Sequence, residues 1–484
     1  MLYLIPSQNS NLNLNQNSNL NSNLNPNPNP NHQNLFHQNL LSPLAFTCFA
    51  FLSSIIHLHS IGLAVDWPQW NGSTSDGRYQ ETGVLSKIPA EGLKKRWSAE
   101  VGLGYSGPVV AEGRVFLTDY LQSEGEKTNN PGVRDSLKGS ERVHAFDLKT
   151  GKKIWTHEYP RNYSLSYPSG PRAAPTVEGD SVYTLGAEGD LISLEAASGK
   201  LNWARQLRDD YKTESPIWGY SAVPLVYHDS IITLAGGNGS LVVALDKQTG
   251  NEKWRSLSGK DIGYCPPSII SIAGKDQLLI WEPKSLHGLN PITGEVLWSV
   301  PMVPKYEMSI VPPVIAGDQM FVTGIGEVAA MFAIDRKNER SPLRELWRGK
   351  AKHAIYCANS TPIFDGGYLY GADCEKGSLI CVRAEDGERM WETFQPTCGG
   401  ERRMSHGTAF LTKVGDLYYL LSETGDFIVA RLSPKAYEEV GRFKVLEATN
   451  ECFGRPVVWS YPAYSDRCLF ARNDKELVAY EISE

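Results

Sequence analysis

Not one Asp, Glu, Lys or Arg occurs before Asp66, so the formal net charge of −7 belongs entirely to the remainder of the 484-residue chain. A mildly acidic surface argues against nucleic acid as a partner. The sequence has no CxxC and no two adjacent cysteines. It also lacks a phosphate-binding glycine loop, an HExxH and a GxSxG. These absences remove the usual signatures of thiol exchange, nucleotide hydrolysis, zinc proteolysis and the α/β-hydrolase nucleophile. The repeated segments lack the 3.6-residue apolar spacing of stacked helix pairs. The apolar run at 44–56 is broken by Thr47, Cys48 and two serines, and is too short to span a bilayer.

The uncharged start divides in two. Residues 1–40 are Asn-rich with Leu, Ser and Pro, a composition that builds no core and predicts disorder. Residues 41–64 read as a secretory signal peptide cleaved near Ala64, although Lys and Arg are missing before its apolar core. A tethered apolar anchor is the other reading. The chain is therefore expected to be exported, periplasmic or attached to the cell envelope, with no transmembrane helix after cleavage. Seven cysteines follow Ala64, an odd number that leaves at least one thiol over. Cys374 and Cys381 flank one tight turn; they either bridge or serve as small buried hydrophobes.

What the sequence has is a repeat. AFDLKTGKKIW (145–155) returns as SLEAASGKLNW (193–203), ALDKQTGNEKW (244–254), GLNPITGEVLW (288–298) and CVRAEDGERMW (381–391). Looser copies end at Trp347 and Phe443, and an orphan LKKRW ends at Trp97. Each copy reads as strand, turn, strand. Gly151 supplies positive φ in the turn without a Cβ clash, and Asp147 is placed to accept from turn amides. Each Trp buries about 150–250 Å², which at ~25 cal/mol per Å² contributes a few kcal/mol gross. One hairpin cannot bury its own Trp; neighbouring copies can. A second hairpin precedes each copy, which makes a unit of four short strands. The Trp slots at 97, 155, 203, 254, 298, 347 and 391 recur every 44 to 58 residues, the spacing of propeller blades.

Closure can be counted. After Phe443 the chain offers three more strands, at 455–460, 467–473 and 476–482, and stops without a fourth. Residues 93–101 fill that gap. The expected fold is all-β, an eight-bladed propeller of four-stranded antiparallel blades, the last blade completed by the N-terminal strand near Trp97. Residues 65–92 then form a segment packing on the propeller of 93–484, with Trp67 and Trp70 against its wall or capping one face. An insertion in blade 1, at 119–142, is expected to be a solvated loop.

In a propeller the first strand of each blade lines the central channel, so residues just before it gather at one mouth. That places Tyr105, Arg172, Trp218, Tyr220, Tyr264, Met308, Tyr356, Arg403, His406 and Arg455 together. Aromatics with a few cations suit a planar or anionic ligand, or an extended peptide. The alternative is that these rings fill the funnel and stack on one another. No motif ties a nucleophile to His406. The acids Asp147, Glu195, Asp246, Asp335 and Glu385 occupy one turn slot in separate blades on the opposite face, so they build turns.

The repeat AxDxxTGKxxW, with WPQWNG at 67–72, resembles the tryptophan-docked repeat of quinoprotein alcohol dehydrogenases. More closely it resembles the exported bacterial PQQ-like propellers, among them the propeller lipoprotein of the outer-membrane β-barrel assembly machine. The resemblance covers about residues 66–484 and implies an eight-bladed propeller in the cell envelope. The enzymes of the group hold pyrroloquinoline quinone under a ring formed by adjacent cysteines, beside a Ca²⁺ bound by Glu, Asn and Asp. Adjacent cysteines are missing here and no position matches the calcium ligands, so no cofactor, metal or catalytic residue is carried over. The resulting expectation is a monomeric, non-enzymatic propeller binding a protein partner or small ligand at the channel mouth. A quinone-dependent oxidoreductase acting on alcohols or sugars is the alternative.

Overall fold

The computed structural model of the chain describes residues 65–400 and 402–484. The Asn-rich tract and the apolar segment before Ala64 lie outside them. Eight four-stranded antiparallel sheets follow one another. Blade 1 is Val109–Ala111, Arg114–Glu124, Asp135–Asp147 and Lys153–Pro160. Blades 2 to 7 occupy 176–206, 225–256, 268–301, 314–348, 363–393 and 409–444. Blade 8 joins the two ends of the chain. Ala463–Ser465, Cys468–Arg472 and Glu476–Glu481 come from the C-terminal part, and Lys95–Glu100 pairs with the last of them, Trp97 opposite Ala479.

Local sequence explains each blade. The two middle strands are buried and rich in β-branched residues, while in the outer strand of blade 3, Glu252–Ser256, Trp254 is the one fully buried side chain. Each of the eight blades carries a register shift between its two outer strands, beside the Trp or, in blade 7, before Phe443. One extra residue there sharpens the local twist and re-aims the side chain. The ring then leans onto the next blade. The Trp97 indole N–H donates to Leu148 O at 2.9 Å, Trp155 to Ala196 O at 3.0 Å and Trp203 to Lys247 O at 3.0 Å. Trp254, Trp347 and Trp391 repeat this at Pro291 O, Ala384 O and Ser433 O. Trp298 departs from the pattern and donates to the Gln277 side chain of its own blade at 2.6 Å.

Asp147, Glu195, Asp246 and Asp335 each accept hydrogen bonds within their own turns. Asp147 Oδ1 accepts from the Lys149 and Thr150 amides and the Thr150 hydroxyl, and Asp246 does the same for Gln248 and Thr249. These hydrogen bonds, with Thr150 and Thr249 leading, hold both carboxyls below their ordinary value.

Two expectations are corrected. The inner strand of blade 8 is Ala463–Ser465, not 455–460; Arg455–Val457 pairs instead with Asn450–Cys452 in a hairpin outside the blades. Pro462, rather than Pro456, marks the start of the channel strand. The blade 1 insertion is largely sheet: its strands extend to Glu124 and from Asp135, Tyr163–Leu165 adds alongside, and Asp135, Leu137 and Glu141 are buried. Only 125–134 remain open loop. Of the two readings of Cys374 and Cys381, the structure has the second: both thiols are free and buried, in different clusters.

The segment after Val65 plugs the channel. Trp67 exchanges backbone hydrogen bonds with Val110 of blade 1, Pro68 accepts from Val177 of blade 2, and Gly77 and Tyr79 bond Lys413 of blade 7. Arg78 reaches Phe364 O in blade 6 at 2.9 Å. The segment thus satisfies the inner-strand edges that face the axis. Among the described residues no helix is long and apolar enough to cross a membrane.

Candidate functional site: an aromatic channel mouth

The axial channel deepens in step with the sequence. Its outermost part is lined by Trp218, Tyr264, Met308 and Ile310. The next layer, a cavity of about 230 Å³, has Val223, Pro266, Pro312 and Thr361 at the corresponding places. A third cavity, about 380 Å³, reaches Leu225, Ile269, Ile315 and Phe364 and is also lined by the exposed Ser73, Thr74 and Asp76. Trp70 lines the second and third of these, stacking edge-on against Tyr461 at 5.3 Å between ring centres. Tyr461 packs in turn on Phe410 at 4.4 Å. These three rings floor the mouth.

Five of the ten residues expected at the mouth line it: Tyr105, Arg172, Trp218, Tyr264 and Met308. Trp218 meets Tyr264 edge-on at 6.0 Å. Arg172 lies over the Tyr105 ring at 5.2 Å, and its guanidinium donates to the carbonyls of Gly170, Tyr167 and Ser166. His406 and Arg455 stand in the adjoining wall. The His406 ring stacks on Phe453 at 4.9 Å and 8°, and its Nδ1 is 3.3 Å from Asn359 Oδ1. Burial lowers its pKa from the ordinary histidine value. Arg455 forks onto Glu423 at 2.8 and 3.1 Å.

The remaining three are elsewhere. Tyr220 is 1% exposed and turns into the blade 2–3 core, its hydroxyl donating to Ala235 O. Two residues earlier, Trp218 faces the mouth; in a regular strand residues two apart share a side, but Gly219 between them has a φ of 75° and breaks that alternation. Tyr356 is likewise buried, its hydroxyl on Lys350 O. Arg403 is exposed and bonds Glu375 O at 3.0 Å without entering the lining.

Trp459 is the residue that sequence reasoning misplaced. It lines both outer layers of the mouth, held by an indole N–H to Glu423 Oε2 at 3.0 Å. Assigning 455–460 to an inner strand hid it. Among the described residues no nucleophile lies within hydrogen-bond reach of the His406 ring, and no carboxylate lines these two layers. The arrangement can bind, and offers no general acid–base pair.

Residues 139–393 match the family described as outer membrane protein assembly factor BamB. The chain belongs to that family. Among curated relatives, a BamB of Moranella endobia is 24% identical over 44% of this chain and 51% of its own length. A quinohemoprotein alcohol dehydrogenase of Comamonas testosteroni is 26% identical over 40% of this chain and 26% of its own. The chain spans between 25% and 51% of the length of the curated relatives it matches. Two solved structures share the fold at a TM-score of 0.53. BamB from Moraxella catarrhalis is 12% identical, over 80% of this chain and 99% of that one. The Comamonas testosteroni dehydrogenase is 13% identical, over 86% and 80%.

The dehydrogenase relatives raise the quinone question. Calcium takes six to eight oxygen ligands, carboxylates prominent among them. The lining of the two outer layers supplies no carboxylate. No group of three or more His, Cys, Asp or Glu that could hold a metal occurs among the described residues.

Proposed function

We propose that the protein is an exported, monomeric propeller of the cell envelope that binds a partner protein at its channel mouth and has no catalysis of its own. Membership of the BamB family supports the envelope setting, since that family's name describes assembly factors of the outer membrane. The observation that carries the binding reading is the floored aromatic mouth. Tyr105, Tyr264, Trp218 and Trp459 surround Arg172, while Phe453 and Tyr306 stand exposed on the rim. A funnel needing only filler would turn such rings inward.

The test immobilises the full chain and its Trp459→Ala variant and captures from envelope extract of the source cells. The reading expects a defined partner held by the first and lost by the second, at unchanged thermal stability. Addition of pyrroloquinoline quinone and Ca²⁺, with dye reduction by alcohols as readout, tests the dehydrogenase alternative. Turnover there would overturn the non-catalytic reading.

A further inference from the structure

We propose that the mouth accepts a polypeptide segment presenting an acidic side chain next to an aromatic one, the carboxylate to Arg172 and the ring between Tyr105, Tyr264 and Trp459. This rests on the binding role above and specifies the chemistry of the partner.

The charge argument starts from how the cations are used. Arg455 is neutralised by its fork on Glu423. Arg172 is held by three carbonyls and an aromatic face, which fix its direction and supply no countercharge. None of the described residues lining the two outer layers is Asp or Glu. A fixed guanidinium in a half-enclosed aromatic site is complementary to a carboxylate, whose charge-assisted hydrogen bond is stronger than a neutral one. Beyond Trp218 the rim is mixed, with Glu214, Asp261 and Glu307 beside Arg134 and Lys260, so it gives an acid no comparable preference.

The backbone argument is independent. Tyr167, His406, Phe453 and Tyr306 have φ of 51°, 58°, 51° and 59°. They are four of the eighteen described non-glycine residues in this left-handed region, which bulky side chains rarely adopt. Here all four are aromatic rings on one face. Phe453, at the tip of the 450–457 hairpin, packs on Tyr167 at 5.9 Å, His406 at 4.9 Å and Trp459 at 6.1 Å, and is still 41% exposed. Tyr306, beside Trp218 and Tyr264, is 62% exposed. Exposed rings thus continue on both sides of the 230 Å³ cavity. A free small molecule would fill the cavity and leave them unused; an extended chain covers them.

The experiment measures binding of fluorescein-labelled Gly-Ser octapeptides to the full chain by anisotropy. Their central pairs are Glu-Phe, Gln-Phe, Lys-Phe and Glu-Ala, with 3-phenylpropionate as competitor. Glu-Phe should bind about tenfold more tightly than Gln-Phe or Glu-Ala, as loss of a charged hydrogen bond or a buried ring implies. Arg172→Gln should erase the Glu-over-Gln preference, and Arg172→Lys should restore part of it, which separates charge from damage to the fold. Equal binding of Gln-Phe, or tightest binding of Lys-Phe, overturns the proposal. Competition by 3-phenylpropionate at the peptide's own affinity overturns the polypeptide and leaves a small anion. If no octapeptide discriminates while partner capture still depends on Trp459, the chemistry fails and the binding role survives. If capture ignores both Trp459 and Arg172, the binding role itself fails.

Discussion

Trp97, from the N-terminal part of the chain, lies directly over Gly151 in the turn of blade 1. A Cβ added at Gly151 would come 2.5 Å from the indole, and the indole N–H reaches Leu148 O at 2.9 Å. The glycine of the TG turn therefore does two things. It takes a φ of 68°, and it leaves the gap into which the preceding blade's Trp fits. Trp155 on Gly199, Trp203 on Gly250 and Trp254 on Gly294 repeat the contact. Because Trp97 belongs to blade 8, its docking on blade 1 also closes the ring.

Gly113→Ala and Gly151→Ala separate these two roles. Both glycines have φ near 70°, but a Cβ at Gly113 meets nothing within 4 Å. Gly113→Ala should cost about 1 kcal/mol for the left-handed backbone. Gly151→Ala should cost a further 1–3 kcal/mol or about that for overpacking against the indole. Equal urea midpoints for the two variants would show that docking against the turn contributes nothing.

Blade 4 gives a second prediction. Gln277, 1% exposed, accepts from Trp298 through Oε1 and donates to Glu339 O of blade 5 at 3.1 Å. Gln277→Leu strands a buried indole N–H and should cost about 1–3 kcal/mol. Trp298→Phe removes that N–H, so adding it to Gln277→Leu should cost less than it does alone. A double-mutant cycle that comes out additive would contradict the coupling.

The repeat made the propeller legible because its signals are local: a turn glycine, an acid two to four residues before it, and an aromatic at a fixed distance after it. Those signals gave the blade count and the closure by residues 93–101. Pro456 and Pro462 look alike to such a reading, and the residues between them carry β-formers, so Trp459 was assigned to a strand. The mouth was half legible. Tyr105, Arg172, Trp218, Tyr264 and Met308 line it, whereas Tyr220 and Tyr356 point the other way. Which side of an irregular segment a residue faces is set by backbone conformation, such as the left-handed Tyr167, and period-two alternation has no hold there. The order of the blade 1 insertion escaped notice because its buried acids read as solvated charge.

One of those acids predicts a pH dependence. Glu141 is buried and accepts from the Tyr159 and Tyr163 hydroxyls and from the Ala187 amide. Burial, with the nearby Asp190 adding to it, pushes its pKa from 4.5 up to about 7. Between those values the folded chain keeps a proton that the unfolded chain releases. Stability from this group is complete below pH 4.5 and is lost as pH rises to 7, by up to about 3 kcal/mol. Glu141→Gln cannot ionise. The wild type should therefore lose stability relative to Glu141→Gln across that window. Parallel stability curves in urea from pH 4.5 to 7.5 would refute the shift.

The last prediction concerns what keeps the mouth rigid. Glu423 is 1% exposed, yet one carboxylate receives the Arg455 fork and the Trp459 N–H. Its backbone carbonyl also accepts from Val458 at 2.7 Å. The hairpin that lifts Phe453 to the rim is tied to blade 7 through this residue. Glu423→Ala would leave a half-buried guanidinium without its countercharge and an indole N–H without an acceptor, a loss of about 3 kcal/mol. Glu423→Gln keeps an acceptor for the indole and should lose less. Because Trp459 would then sample more solvent, its fluorescence should shift to the red in the alanine variant and stay nearly unchanged in the glutamine one. Partner capture should follow the fluorescence rather than the stability. Capture that falls equally in both variants would mean that the charge of Glu423, and not the posture of Trp459, is what the partner reads.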